Sequence, residues 1–199
     1  MRVKDYLSYS QFSTFTSSRA NYIKIYIEGR KFQTKYTQFG SFIAEALETR
    51  SGLSRDEKLA VEGVHCPQYR EHEISVDVDG VPCYGRLDGF DLAKDKKSCT
   101  IHEYKTGKKP WTQSMVDNSE QLTFYAIMVH KKYGIPLNKI HIELTWWGTY
   151  EDIDGSIHLT GERSEPLKTT RSVEDMLSFY PRMKKVWEEI EKLIDEIIK

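Results

Sequence analysis

Hydrophobic and polar positions along this chain change between a period of two and a period near 3.6, and the changes mark out its elements. The clearest alternating stretch is 83–107, CYGRLDGFDLAKDKKSCTIHEYKTG. Residues 83–91 and 99–105 are rich in apolar, aromatic and β-branched side chains and predict two strands; the charged run 93–97 carries the turn between them. A pivot between Asp95 and Lys96 sets Leu92 against Cys99, Phe90 against Ile101, Asp88 against Glu103 and Arg86 against Lys105 on one face. Leu87–Tyr104 and Gly89–His102 then pair on the other. Upstream, 71–78 alternates as a strand, and Asp79-Gly80 turns it back into the strand at 83. Ile140, Ile142, Leu144 and Trp146 alternate within 139–147, a strand expected beside 99–105 after a helical crossover. A short further strand is read at 157–160.

Helical spacing appears elsewhere. Ser8-x-x-Gln11 is a capping box that opens a helix burying Phe12 and Phe15. A second helix spans 19–28, striped by Tyr22, Ile23, Tyr26 and Ile27 and stopped at Gly29. Others are predicted at 39–50, at 53–64 and at 118–133, the last closed by Gly134 and Pro136. Residues 160–171 read as a polar linker. From Met183 to Ile197 the apolar positions keep a clean helical period, and Pro181 is expected to separate 173–180 from 182–199. The sum is an α/β fold, a mixed central sheet with helices on both faces.

Composition narrows the picture. The chain has 199 residues, 39% of them hydrophobic, which suits one globular domain, 1–199, with N-terminal helices at 8–64, a core sheet at 71–147 and C-terminal helices at 172–199. A net charge of −1 gives no global field toward nucleic acid, so any contact with it must be local. Lys105, Lys108, Lys109, Lys131 and Lys132 are the basic candidates. Cys66, Cys83 and Cys99 are odd in number and widely spaced, which fits neither a disulfide framework nor a zinc site. His65 has no partner at ligand spacing along the sequence and reads as ordinary. No signal peptide and no apolar run near 18 residues is present, so a soluble, cytoplasmic protein without membrane contact is expected.

The chemistry concentrates in the central hairpin. Asp88 and Glu103 are expected about 5 Å apart at Cβ, with Lys105 about 7 Å along the same face. Like charges placed directly opposite destabilise a sheet. A divalent cation such as Mg²⁺ or Mn²⁺, which takes hard oxygen ligands, removes the conflict. Such an ion activates water and stabilises charge on a phosphodiester, and an adjacent ammonium holds the water or the phosphate. The alternative is a solvated hairpin with Asp88 paired to Arg86 and Glu103 to Lys105.

At these residues the sequence resembles a known family. Gly85-Arg-Leu-Asp88-Gly, Ile101-His-Glu103-Tyr-Lys105-Thr-Gly107 and Gln121-Leu-Thr-Phe-Tyr125 are similar, in order and spacing, to the PD-(D/E)xK nuclease superfamily, and within it to the RecB-like exonucleases. The likeness extends to Leu7-Ser-Tyr-Ser-Gln11 and the helix at Gly40. It implies a restriction-endonuclease-like core and one or two Mg²⁺ or Mn²⁺ ions held by Asp88, Glu103 and the Tyr104 carbonyl, with Lys105 catalytic. Gln121 and Tyr125 would lie near the site and the DNA. The implied activity is exonucleolytic cleavage of DNA in recombination, repair or phage DNA processing. Any unwinding would come from a helicase or recombination partner, and the oligomeric state stays open.

Two departures matter. Family members often carry a metal-contributing histidine where this chain has Ala44. Glu48, one turn on, or Glu45 could supply the missing ligand, and Glu48 lies closer to that face. Some relatives hold an iron–sulfur cluster; three unclustered cysteines exclude a four-cysteine cluster here. Beyond Lys105, the basic loop with Lys108, Lys109 and Trp111 suits phosphate contact and base stacking, while Trp111 as a core anchor is an equal reading. Glu73 could approach the metal face or remain an edge charge. A catalytically weak DNA-binding or assembly module on the same fold is the alternative function.

Overall fold

The computed structural model describes residues 4–31, 33–51 and 54–198. Strands β1 (Tyr69–Val78), β2 (Val81–Leu92), β3 (Cys99–Gly107), β4 (Ile140–Glu151) and β5 (Ile157–Arg163) form a sheet in sequential order, and β6 (Leu167–Thr169) pairs β4 beside β5. All neighbours are antiparallel except β3 and β4, which run parallel. The crossover between those two carries helices α5 (Gln113–Asp117) and α6 (Glu120–Tyr133), as parallel pairing requires. Earlier helices are α1 (Tyr9–Ser17), α2 (Arg19–Tyr22), which continues as a π-turn through Ile27, α3 (Lys35–Thr49) and α4 (Arg55–Val61). The expected start of the fourth helix at Leu53 lies outside the described residues.

Alternation along β4 sorts the two cores. Ile140, Ile142, Leu144 and Trp146 join α6, α1 and the C-terminal helix in the main core, while Trp147 turns to Ile43, Leu47, Ala60 and Leu159 under α3 and α4. The sheet is therefore covered on both faces.

Three expectations change. Pro181 does not break the last helix: α7 runs unbroken from Val173 to Ile198. Proline deprives the Leu177 carbonyl of its partner, but Leu177 is on the solvent side. Phe179, Met183, Val186, Trp187, Ile190 and Leu193 meanwhile bury one continuous stripe on both sides of the proline. The supposed linker 160–171 contains the end of β5, all of β6 and the buried Arg171. Arg171 donates to Thr123 Oγ1 (2.7 Å), Val116 O (2.9 Å) and Ser119 O (3.2 Å), and so fixes the start of α6. Finally, β2 does not keep strict alternation. A Cβ at Gly85 would meet Met128 and Tyr125 of α6, whereas one at Gly89 would meet Pro67 and His102 on the other face. Residues four apart in a regular strand share a face, so β2 changes faces between them. Leu87 consequently packs in the main core rather than pairing Tyr104. Across from this switch Glu71 of β1 adopts a left-handed backbone, φ 48°.

The central hairpin has the expected register only near its turn. Leu92–Cys99, Asp91–Thr100, Phe90–Ile101 and Gly89–His102 pair, and the ladder stops there. Beyond Gly89 the strands fork. Leu7 takes the vacated edge of β2: its N–H donates to Pro82 O at 2.7 Å, and its carbonyl accepts from Tyr84 N–H at 3.0 Å. Arg86 therefore does not face Lys105; its Nε pairs with Glu71 at 2.6 Å.

Candidate active site

The fork between β2 and β3 opens into a cleft of about 610 Å³. The strands and α6 supply Glu71, Asp88, Glu103, Tyr104, Lys105, Gln121 and Tyr125; the chain around α1 and the inner face of α3 form the walls.

Asp88 sits where the ladder ends. Its Oδ2 accepts the Tyr104 N–H at 2.8 Å, a bond that replaces the missing strand-to-strand partner. In a strand the N–H and C=O of one residue point to the same side, so the Tyr104 carbonyl is also directed into the fork. Burial pushes the Asp88 carboxyl well above the usual carboxylate range, and the charge of Glu103 adds to this; Lys105 and the Tyr104 N–H oppose it.

Glu103 is 2% exposed. One carboxylate oxygen pairs with Lys105 Nζ; the other, Oε2, is buried with no hydrogen-bond partner. An unpartnered buried carboxylate oxygen costs free energy, and here a second acid, Asp88, lines the same cleft. Lys105 Nζ also donates to Gln121 Oε1 at 3.0 Å, and Gln121 Nε2 donates to Tyr125 OH at 3.2 Å. Burial pulls the lysine down, but the paired Glu103 and then Asp88 outweigh it, so its pKa is raised and it stays cationic. Burial, chiefly, also holds Tyr125 far above the usual phenol range, so it remains neutral.

The third acid of the cleft is Glu71, which motif spacing gave no reason to choose. Burial raises its pKa; Arg86 opposes this, and Glu48 and Glu103 reinforce it. Its left-handed backbone, opposite the face switch of β2, brings it into the cleft, a signal that propensity and motif do not carry. Glu48 is exposed and not part of the cleft wall. It shares the cleft-facing side of α3 but lies a turn beyond Ala44, where the helix has passed on to β1, and there it borders a shallow depression with Glu71 and Glu73. Glu45 is exposed. Glu73 stays at that edge, where its charge, after burial, helps to raise the Tyr84 phenol.

The basic loop is divided. Lys108 Nζ lies 5.4 Å over the ring of Tyr36, which lines the cleft, and 3.7 Å from Glu151. Lys109 is exposed. Trp111 packs half-buried against the main core, which is the anchor role rather than an open stacking platform. Of the cysteines, Cys83 and Cys99 are buried in the core and Cys66 is exposed. Among the described residues no helix is long and apolar enough to cross a membrane.

The sequence matches the PD-(D/E)XK nuclease superfamily over residues 57–198. The chain belongs to that superfamily. No curated protein matches it. A solved structure from Eubacterium rectale, to which exonuclease activity is ascribed, superposes with a TM-score of 0.55 at 11% identity, covering 94% of this chain and 82% of that one. At that identity the likeness speaks for the fold alone. The superfamily makes the chain a nuclease by class.

Proposed function

We propose that this chain is a divalent-metal-dependent deoxyribonuclease that degrades DNA from its ends, in recombination, repair or phage DNA processing. One observation carries the reading: Asp88 and the buried Glu103 line one cleft, and Glu103 brings to it a carboxylate oxygen without a hydrogen-bond partner and a fixed ammonium paired to its other oxygen. Hard oxygen donors of this kind fit Mg²⁺ or Mn²⁺, so the residues suit the ion that the superfamily implies. Asp88, Glu103 and the Tyr104 carbonyl would hold it, with Glu71 a further carboxylate on the cleft wall. Bound there, the ion supplies positive charge to the scissile phosphate and acidity to water.

The chain's own groups do the rest. The Tyr104 N–H orients Asp88, so one carboxylate oxygen is fixed and the other faces the cleft. Glu103 and Gln121 fix Lys105 Nζ, which holds the attacking water or a phosphate oxygen as a point charge. Tyr125, neutral and bonded to Gln121, keeps that amide turned toward the lysine. Lys108 and Lys109 meet the DNA backbone at the rim.

The test is DNA hydrolysis with Mn²⁺ or Mg²⁺ on linear and covalently closed circular substrates. Cleavage of linear DNA alone, lost in Lys105→Ala and on chelation, is the expected result. Ala44 at the cleft wall, where relatives often carry a metal-contributing histidine, favours a second reading, a DNA-binding module with weak or no catalysis. DNA retention without cleavage would establish that reading instead.

A further inference from the structure

On the opposite face of β2 and β3 a different donor set converges. His65 Nε2 lies 2.6 Å from Asp91 Oδ2, and His102 Nε2 lies 2.9 Å from the same oxygen. The three ligand atoms all fall within 4.8 Å of one another. They come from the loop after α4, from β2 and from β3, so the fold rather than local sequence assembles them. Within β3, His102 points away from the acidic cleft that its neighbour Glu103 lines.

We propose that His65, Asp91 and His102 form a second metal site, for a divalent transition ion of the zinc type, that clips the loop at 64–68 to the back of the catalytic hairpin. Imidazole nitrogen with one carboxylate oxygen suits zinc, cobalt or nickel, whereas magnesium prefers oxygen alone. Around zinc, with bonds of about 2.0–2.2 Å, tetrahedral ligands stand roughly 3.3 Å apart. From 2.6 and 2.9 Å, the two imidazoles would each move off Asp91 Oδ2 by about 0.4–0.7 Å to reach that spacing.

Three further observations favour an ion. First, His102 stands between two carboxylates, whose charge either an imidazolium or a bound cation balances. Its Nε2 faces Asp91, and its Nδ1 faces Glu143 Oε2 at 3.7 Å. A neutral imidazole has one donor and one acceptor, so one ring nitrogen presents a lone pair to a carboxylate. A cation at Nε2, with Nδ1–H toward Glu143, satisfies both sides and gives the carboxylate–histidine–metal arrangement. Second, Asp91 is already oriented: its Oδ1 accepts the Gln68 N–H at 2.7 Å, which leaves Oδ2 to the two imidazoles. Third, both histidines and Glu143 border a cleft of about 200 Å³, where water can complete the coordination.

Titration of zinc into chelator-treated protein at pH 8, by calorimetry and by thermal unfolding, tests this in the Asp88→Asn/Glu103→Gln background, which removes the acidic cleft as a competing site. One equivalent bound, with a raised melting temperature, is expected. His65→Ala should weaken binding at least about 100-fold and Glu143→Gln about 10-fold. The His65 side chain is 61% exposed, so its truncation leaves the fold intact, and circular dichroism checks this. Absence of zinc uptake at pH 8, or uptake unchanged in His65→Ala, overturns the site. Either result leaves the nuclease reading standing, because that rests on the other face of the sheet.

Discussion

Asp88 and Tyr104 are joined by a side chain-to-backbone hydrogen bond of 2.8 Å at the point where their strands stop pairing. The bond ends the ladder and orients the acid in one contact. It also explains why the cleft lies between two strands that are neighbours in the sheet. Past Gly89 the hairpin is prised open, Leu7 occupies one free edge, and the cleft so formed gathers Glu71, Asp88 and Glu103 with Lys105.

That crowding has a cost that pH reveals. The Asp88 pKa is raised in the folded protein, by burial first and by Glu103 next. A group raised on folding contributes its full stability below its unfolded value, near 4, and loses it as pH climbs through the folded value. Metal-free protein should therefore become less stable from mildly acidic to neutral pH. Asp88→Asn keeps an oxygen for the Tyr104 N–H and removes the charge. It is expected to stabilise metal-free protein at pH 7 by on the order of 1 kcal/mol and to abolish cleavage. Denaturant melts of both proteins from pH 4 to pH 8 check this; curves that stay parallel would rule it out.

How far the sequence carried this reading depended on whether a feature was local. Period-two stretches and the Asp79-Gly80 turn located the strands, and the pairing near the turn, Leu92 with Cys99 and Phe90 with Ile101, came out as the pivot demanded. The same rule misplaced Leu87 and Arg86, because it assumes unbroken alternation, and β2 changes faces opposite the left-handed Glu71. Glu71 and the His65–Asp91–His102 cluster were illegible for a related reason. Their partners are neighbours in space but far apart in sequence, so no spacing announces them. Pro181 misled in the other direction: a local helix breaker was outweighed by a buried stripe running past it.

Glu71→Gln tests whether that residue belongs to the acidic site. Its pKa is also raised, with burial the main cause. Removing its charge should stabilise metal-free protein at neutral pH, since the sign runs as for Asp88. If Glu71 supports the ion directly or through water, Mn²⁺ affinity should fall about 10–100-fold, read by Mn²⁺ titration of activity. Stabilisation with unchanged Mn²⁺ dependence would make it an edge charge paired to Arg86 and nothing more.

Arg171 should affect the site without touching it. Buried and bonded to Val116 O, Ser119 O and Thr123 Oγ1, it holds the first turn of α6, from which Gln121 reaches Lys105. Arg171→Leu removes these hydrogen bonds to a buried cation and should cost about 2–3 kcal/mol, measured by denaturant unfolding. Gln121→Leu, by contrast, should leave stability within about 1 kcal/mol while lowering kcat more than it changes KM, because it frees the Lys105 ammonium. If Gln121→Leu turned over like the parent, the amide would have no part in positioning the lysine.

Gly89 is the residue on which the two faces of the hairpin meet. It belongs to the last pair of the β2–β3 ladder, with His102, and a Cβ there would lie 2.5 Å from Pro67 Cγ and 3.1 Å from His102 Cβ. Pro67 is ring-locked and cannot swing aside, so the loop carrying His65 and Gln68 must lift off the strand. Overpacking of this kind costs about 1–3 kcal/mol. Lifting the loop also withdraws the Gln68 N–H and His65 from Asp91, which they and His102 hold below the usual carboxylate range even though burial, the largest influence, pushes it up. Gly89→Ala should therefore lower the melting temperature and weaken zinc uptake, while Asp88, held from Tyr104, keeps its place and cleavage per folded molecule stays within a few-fold of the parent. Equal loss of zinc uptake and cleavage would show that the hairpin moves as one piece.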